Sequence, residues 1–459
     1  MIPPKLNKSA LWQKLTWVID PVIYLETAAR QCYDIYEADV IGFGNKFILV
    51  NHPEAIQEIL ASNRQKLFAA AKDNQLLKPI VGDRSVMLLE GDPHRKRRKL
   101  LLPPFHGERM ETYGRSICEL TNKAFESLSP GDNFTARDLA QKISLQTILR
   151  VVYGVSRSNR SQQLESLISQ IADVFRFPLT SALLFFPWLQ QDLGAWSPWG
   201  YFLRLRDALD KIIYTEIAEK RSQDNLQGED ILSLLMSAHD EEGNPMSDGE
   251  LRDELMSLMF AGHETTATAI AWALYWIHHL PEVKAKLLEE LSSLKEPSPM
   301  AIAKLPYLEA VCHETLRINP VAILTFPRVV QQPMQLLGYN LEPGTALIGN
   351  IYSVHQREDI YPQAKHFKPE RFLERQFAPG EFIPFGGGAR RCIGEALAKF
   401  EMKLVVATIV SQYELALASD RPERPRRRGV TLAPANGVKM CFHDLRTSQP
   451  TANTNVIAG

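Results

Sequence analysis

From Ser247 to His279 the chain carries an uninterrupted helical pattern. Ser247-Asp248-Gly249-Glu250 reads as a capping box, and Pro281 ends the run. Roughly 30 residues at 1.5 Å each make on the order of 45–50 Å of helix, enough to cross a whole domain. Any fold for this chain has to be built around that rod. Its middle departs from good helix chemistry. Ala261-Gly262-His263-Glu264-Thr265-Thr266 puts a glycine and two β-branched threonines where strong helix formers belong. Gly262 alone costs about 1 kcal/mol relative to Ala. Leu255, Leu258, Met259, Phe260 and Ile270 flank the stretch, so it is not a solvated face. A zinc-protease helix is excluded because the fifth position of a motif starting at His263-Glu264 is Ala267. What remains is a functional site. Gly262 is expected to let the backbone pass close to a flat cofactor. Thr265 offers a hydroxyl that donates and accepts, and Glu264 can feed protons inward.

The second constraint is Phe385-Gly386-Gly387-Gly388-Ala389-Arg390-Arg391-Cys392-Ile393-Gly394. One cysteine ends a glycine-rich turn, and a helical pattern of roughly Ile393 to Ser411 follows at once. The glycines allow backbone N–H groups to approach the sulfur, and the helix aims its positive end at it, an arrangement suited to a thiolate. A lone cysteine is more often a small buried hydrophobe. A phosphatase-type nucleophile would need an arginine six positions on, where Ala398 stands. A zinc site would need a second Cys or His nearby, but Cys32, Cys118, Cys312 and Cys441 are scattered. A single soft ligand points to axial ligation of haem iron.

Together these motifs resemble those of the cytochrome P450 family. The decapeptide matches the haem-binding signature Phe-x-x-Gly-x-Arg-x-Cys-x-Gly, and Ala261–Thr266 matches the oxygen-activation motif. The resemblance covers about residues 20 to 445. It implies Cys392 as the proximal ligand to haem b, with Phe385, Gly386, Gly394, Ala261 and Gly262 against the cofactor. Arg390 would pair with a haem propionate, and Glu264 and Thr265 would form the acid–alcohol pair. Glu314 and Arg317 match the family's Glu-x-x-Arg element, and Pro369-Glu370-Arg371-Phe372 its Pro-Glu-Arg-Phe element. By that likeness Glu314, Arg317 and Arg371 form a buried structural network. His94 and Arg98 fall on one helix face and, like a family pair of the same spacing, would meet the propionates. Arg328, just after Pro327, would be a third partner. Lys96, Lys99, Arg391 and Lys399 are expected on a proximal docking face for an acidic redox partner.

The bulk properties agree with such a protein. Net charge is −1 over 459 residues, so charge implies no nucleic-acid partner. Five scattered cysteines argue for a reducing, cytoplasmic setting without a disulfide framework. Met1–Asp20 is broken by prolines and lysines and carries no transmembrane anchor. Most of residues 93–317 has a helical pattern. Strand patterns fall at about 35–52, 320–350 and 429–443. Gly44-Asn45 and Asn436-Gly437 read as hairpin turns, and 446–459 as a disordered tail. The expected fold is mainly α with a minor β part (α+β), as one domain over 1–459. Residues 174–202 are dense in aromatics. Phe175, Phe177, Phe185, Phe186, Trp188, Trp196, Trp199, Tyr201 and Phe202 suit helix packing, and in the family this region is the lid over the substrate channel. Phe260, Val321, Ala322, Ile323, Leu324, Thr325, Val86, Met87 and Leu88 are expected in an apolar pocket wall. Arg84, Lys72 or Arg176 could anchor a carboxylate.

The implied function is a monomeric haem-thiolate monooxygenase. It would take O2, a lipophilic substrate such as a fatty acid or terpenoid, and electrons from a ferredoxin or flavodoxin-type donor with an NAD(P)H-dependent reductase. One oxygen atom enters a C–H bond and the other leaves as water. A peroxygenase or a non-oxidative isomerase is the rival among enzymes, although these typically lack the Glu264–Thr265 pair. A haem-based sensor or carrier is the rival outside them.

Overall fold

The computed structural model describes residues 1–40, 47–62, 66–69, 76–105, 107, 109–154, 159–175, 178–222, 230–239 and 242–446. Helix makes up 56% of the described residues, as the periodicity predicts. The central helix runs Asp248–His279, and both halves of its capping box form. It packs most extensively on the helix Ala136–Tyr153 and also on the helix Glu395–Gln412 that follows the cysteine. Leu255, Met259, Ile270 and Leu274 are buried with the main helical core. This helix is buried along most of its length, and its buried polar residues, Arg252, Asp253, Glu254 and His263 among them, have to find partners inside the protein.

The β part is assembled from distant segments. The main sheet has the order β1-β2-β8-β5-β3, with β1 at Ile35–Ala38, β2 at Phe47–Val50, β3 at Leu67–Phe68, β5 at Arg328–Val330 and β8 at Ala346–Gly349. The β2–β8 pair is parallel, with Phe47 opposite Ala346, and the other pairs are antiparallel. β6 (Met334–Leu336) and β7 (Tyr339–Leu341) make a separate ribbon. The turn expected at Gly44-Asn45 and the tail 447–459 lie outside the described residues.

The hairpin expected at Asn436-Gly437 does not form. β11 (Thr431–Pro434) pairs instead with β10 (Pro425–Arg428). β12 (Lys439–Leu445) lies between β4 (Asn133–Thr135) and β9 (Tyr413–Leu417). Gly437 and Val438 have φ of 74° and 59°, which carries the chain away from β11. Their carbonyls accept from Arg137 N–H and Ala136 N–H at 3.0 and 2.8 Å. The turn is thus docked on the start of the helix Ala136–Tyr153.

The aromatics of residues 174–202 divide. Phe175, Trp199 and Phe202 are buried, whereas Trp188 and Trp196 are 68% and 82% exposed. Phe177 and the Phe185 side chain lie outside the described residues.

The expected Glu314–Arg317–Arg371 network is present. Glu314 and Arg317 are fully buried. Arg317 Nε and Nη2 donate to Glu314 at 2.7 and 2.8 Å. Arg371 Nε and Lys368 N–H donate to Glu314 Oε1 at 3.1 and 2.8 Å. Removing the carboxylate strands two buried cations. Glu314→Ala should therefore cost about 3–5 kcal/mol in denaturant unfolding. The triple apolar variant Glu314→Leu/Arg317→Met/Arg371→Met should cost less; a larger loss for the triple variant would refute the argument.

Glu401, on the helix after the cysteine, is buried against Ser144 on Ala136–Tyr153. Burial pushes its carboxyl up to about 8, and Ser144 only partly offsets this. A carboxyl raised in the folded state favours folding at low pH. Its contribution is complete below about pH 4.5 and is lost as pH rises through about 8, by about 1.4 kcal/mol per pH unit. Glu401→Gln should gain stability over the wild type steadily across that window in melts at fixed salt. A pH-independent difference would show that Glu401 does not titrate there.

Candidate active site

The cysteine loop is closed by two backbone hydrogen bonds. Cys392 N–H donates to the Phe385 carbonyl at 3.0 Å, and Gly386 N–H to the Ile383 carbonyl at 2.9 Å. Gly386 and Gly388 have φ of 66° and 62°, in the left-handed region. A Cβ on Gly388 would also lie 2.1 Å from the Leu60 carbonyl, so only glycine fits there. The loop is pressed against the helix Pro53–Ala61.

A cavity of about 310 Å³ separates this loop from the central helix. Ala261, Gly262, Thr265 and Thr266 line it on one side. Phe385, Gly386, Cys392 and Gly394 line it on the other, and His94, Arg98 and Arg390 also border it. The sequence motifs, scattered over some 300 residues of chain, therefore converge on one space. Val86, Met87, Val321, Ala322, Leu324 and Thr325 complete the wall as expected.

Several expected wall residues do not reach it. Phe260 packs beside His263 with ring centroids 6.5 Å apart. Ile323 belongs to the apolar cluster beside the N-terminal helices, because β8 and its neighbours cover it. Leu88 is outside the wall and packs on the helical core. Arg328 also stands behind the wall. It donates to the carbonyls of Phe326, Pro327 and Gly387, bracing the cysteine loop from β5. The absent Cβ of Gly262 faces Ile148, whose Cδ1 would be 3.2 Å away. Close helix–helix packing, and not only the cavity, demands that glycine. Arg84 lies outside the wall too, and Lys72 and Arg176 are outside the described residues.

Thr265 Oγ1 donates to the Ala261 carbonyl at 2.5 Å. That commits its proton to the helix and leaves the oxygen as an acceptor at the cavity. Glu264 points elsewhere. It is bonded to Arg137, accepts from Gln141 Nε2 at 2.6 Å, and pairs with Arg428 Nε at 3.0 Å. Burial would raise its carboxyl, but Arg137 and Arg428 hold it below the usual range. Arg428 continues to Asp173 at 3.1 Å, on the helix Asn159–Val174. These partners carry no sequence motif. Arg428 ends a run of three arginines, and nothing in the run marks Glu264 as its target.

Glu254, missed in the sequence, also lies in the wall. Burial lifts its carboxyl to about 7, while Arg97 and the Val86 N–H act to lower it. Of the four cations expected at a docking face, Lys96 is held by Glu242 at 2.7 Å. Arg391 and Lys399 both pair with Glu395, at 2.6 and 2.8 Å.

The cavity fits a metal carried within an anionic ring. Arg98 Nη1 donates to the Arg391 carbonyl at 2.6 Å. Arg390 donates to the carbonyls of Val86, Ala69 and Leu89. These acceptors are neutral, and Arg390 Nε is buried without a partner. Burial, then the charges of Arg328 and Arg98, pull Arg390 down to about 10. Two acidic groups on a ligand would complete this rim. Below it, Cys392 is exposed to the cavity, while the protein atoms packed around it still desolvate its thiol. Burial pushes the thiol up to about 11, against the Gly394 N–H and the charges of Arg98 and Arg391. The glycine turn and helix start do not offset that burial, and a bound metal cation would stabilise the thiolate. Among the described residues no cluster of His, Cys, Asp or Glu could cage a bare ion. Residues able to hold a haem are thus Cys392, Arg98, Arg390 and His94.

Comparison with known proteins gives the same answer. The family model described as Cytochrome P450 matches residues 26–442. A Mycobacterium tuberculosis protein named as cytochrome P450 135B1 is 31% identical over 98% of this chain and 94% of its own length. A second, named as cytochrome P450 138, is 31% identical over 95% of each. The structure of a retinoic acid-bound cyanobacterial CYP120A1 superposes with a TM-score of 0.82, at 22% identity over 96% of this chain and 99% of that one. The cytochrome P450DA heme domain gives 0.84, at 20% identity over 97% and 98%. The long helix over the cavity, the cysteine loop beneath it and the likeness in sequence together place this chain in the cytochrome P450 family, as a haem-dependent monooxygenase.

Proposed function

We propose that this enzyme hydroxylates a C–H bond of a lipophilic small molecule, using haem b held by Cys392 and electrons from a ferredoxin or flavodoxin-type partner. The observation that carries the reading is the placement of Thr265 and Cys392 on opposite walls of one largely apolar cavity. Haem bound through Cys392 supplies O2 binding and electron uptake. The protein supplies the rest. Arg98 and Arg390 orient the cofactor through its carboxylates. Val86, Met87, Leu258, Val321 and Leu324 exclude water and hold the substrate by apolar contact. Thr265 rotates its hydroxyl from the Ala261 carbonyl to pass a proton into the cavity, and Glu264 can take up and relay a proton to it only by leaving Arg137, Gln141 and Arg428. Lys99, Arg391 and Lys399 contribute to partner docking, with Glu395 tempering the last two.

Two measurements test this. Cys392→Ser should abolish the thiolate-type, red-shifted Soret band of the reduced CO complex; retention of that band would remove Cys392 as the ligand. Thr265→Ala should lower product formed per reductant consumed by about tenfold or more, with peroxide making up the difference. Tight coupling in that variant would refute proton delivery through Thr265.

A further inference from the structure

Asp173 is the last but one residue of the helix Asn159–Val174. A carboxylate there faces the negative end of the helix dipole, where a cation is the favoured residue. Arg428 compensates it, with Nη2 donating to Asp173 Oδ1 at 3.1 Å. The same guanidinium pairs through Nε with Glu264 at 3.0 Å. One arginine at the end of β10 thus bridges carboxylates from two helices. Their surroundings differ. Asp173 is 58% exposed, whereas Arg428 and Glu264 are 13% and 15% exposed. The helix that carries Asp173 also has a separate anchor, because its Arg160 pairs with Glu216 and Glu219 of the helix Pro198–Arg221, both at 2.6 Å.

The relay assigned to Glu264 requires it to leave its nest. Arg137 Nη2, Gln141 Nε2 and Arg428 Nε converge on that one carboxylate. The adjacent His263 is buried and pushed toward its neutral form by desolvation, so the two arginines are the charges that hold the acid. When the carboxylate departs, each arginine loses a counter-charge in a largely buried place, and a buried cation left without a partner is strongly disfavoured. Arg137 keeps Gln141 Oε1 at 3.1 Å and has the exposed Asp138 at 4.0 Å. Arg428 keeps Asp173 at hydrogen-bond distance. The exposed carboxylate is therefore a standing substitute for the buried one. Its negative charge also repels Glu264 and so weakens the hold on it.

We propose that Asp173 is a positioning residue for proton delivery: by keeping Arg428 paired, it lets Glu264 leave its arginines, take a proton from water and pass it to Thr265. The step moves a proton and no electrons, and Glu264 returns to the arginines as a carboxylate. This rests on the relay role of Glu264 proposed above. Asp173 is not in the cavity wall and acts only through Arg428. A surface ion pair without such a role would be worth little and would add independently to its neighbours.

The test is a pair of measurements on the haem-loaded protein. The first is a mutant cycle in urea unfolding, which needs no turnover. Glu264→Gln in the wild type leaves Arg428 on Asp173, whereas in the Asp173→Asn background it leaves Arg428 with neither carboxylate. Glu264→Gln should therefore raise the unfolding equilibrium constant about fivefold more in the second background than in the first. Adding Arg428→Gln removes the stranded charge and should bring the two effects to within about twofold of each other. The second is oxygen uptake driven by NADPH through a plant-type ferredoxin and its reductase, with dodecanoic acid as probe, in H2O and in D2O. Uptake consumes protons whether or not the probe is hydroxylated. Asp173→Asn should slow it about threefold, the scale of one partly exposed ion pair, and enlarge the solvent isotope effect, with the half-saturating ferredoxin concentration unchanged. Additive unfolding effects, non-additivity that survives Arg428→Gln, or a rate and isotope effect that Asp173→Asn leaves unchanged while Glu264→Gln alters both would each overturn the inference. An unchanged rate and isotope effect in Glu264→Gln itself is a separate result, and it would overturn the relay role of Glu264 beneath it.

Discussion

The cysteine loop is held in place from behind by one buried carboxylate. Glu314 anchors Arg317, whose Nη1 donates to the His355 carbonyl at 2.7 Å. His355 Nε2 in turn accepts from Ile383 N–H at 3.0 Å. That bond requires a neutral imidazole, and burial together with Arg317 pushes His355 down to about 3, so it stays neutral at any working pH. The Ile383 carbonyl then accepts from Gly386 N–H, the first turn of the loop. A continuous run of hydrogen bonds thus leads from a charge network with no solvent contact to the residues that present Cys392. The network also joins the helix Pro306–Ile318 to the segment 355–371. Its worth lies less in net stability than in fixing which surfaces meet, because a buried ion pair gains little over an apolar substitute.

On the opposite wall the central helix does two tasks with neighbouring residues. Thr265 turns into the cavity while Glu264, one position earlier, turns into a nest of Arg137, Gln141 and Arg428. The two side chains diverge because adjacent helical positions differ by about 100°. The acid is therefore kept charged and away from the apolar wall, where an unpaired carboxylate would be desolvated. Glu254 shows the contrary case. It lies on the cavity face, only one of its oxygens is satisfied, and its affinity for protons rises accordingly.

Features written in local chemistry were legible in the sequence. The central helix could be bounded because its capping box and Pro281 are contiguous signals. Cys392 could be singled out because the ten-residue glycine turn around it is a contiguous signal, and likeness to a family gave it a role. The Glu314 network was legible only through likeness to a family, since an i,i+3 Glu–Arg pair by itself is ordinary. What failed was non-local. Asn436-Gly437 has good hairpin chemistry, but β11 turns back on β10 through Gly429-Val430, and β12 is claimed by β9 and by the distant β4. Phe260 and Ile323 are apolar residues at plausible positions, yet helix phase turns one away and sheet packing covers the other. Gly262 reads in the sequence as a close approach to a cofactor, but the group its missing Cβ faces is Ile148, more than 100 residues earlier. Arg428 and Arg137 meet Glu264 only after three distant segments have packed.

Desolvation acts the same way on the ionisable groups around the cavity, pushing each toward its neutral form. It raises Cys392 and Glu254 and lowers Arg390. The protein offsets this unevenly. Glu254 has Arg97 close at hand. Cys392 has one backbone N–H and two cations that do not outweigh its burial. Arg390 has carbonyl oxygens, which are dipoles and not charges. The folded protein is therefore short of a positive charge at the sulfur and of negative charge at the arginine rim. A bare metal ion would relieve the first shortage and deepen the second, and an organic dianion would do the reverse. A metal held inside a ring that bears two carboxylates relieves both at once. The charge pattern of the protein thus fits the class of cofactor that the motifs imply.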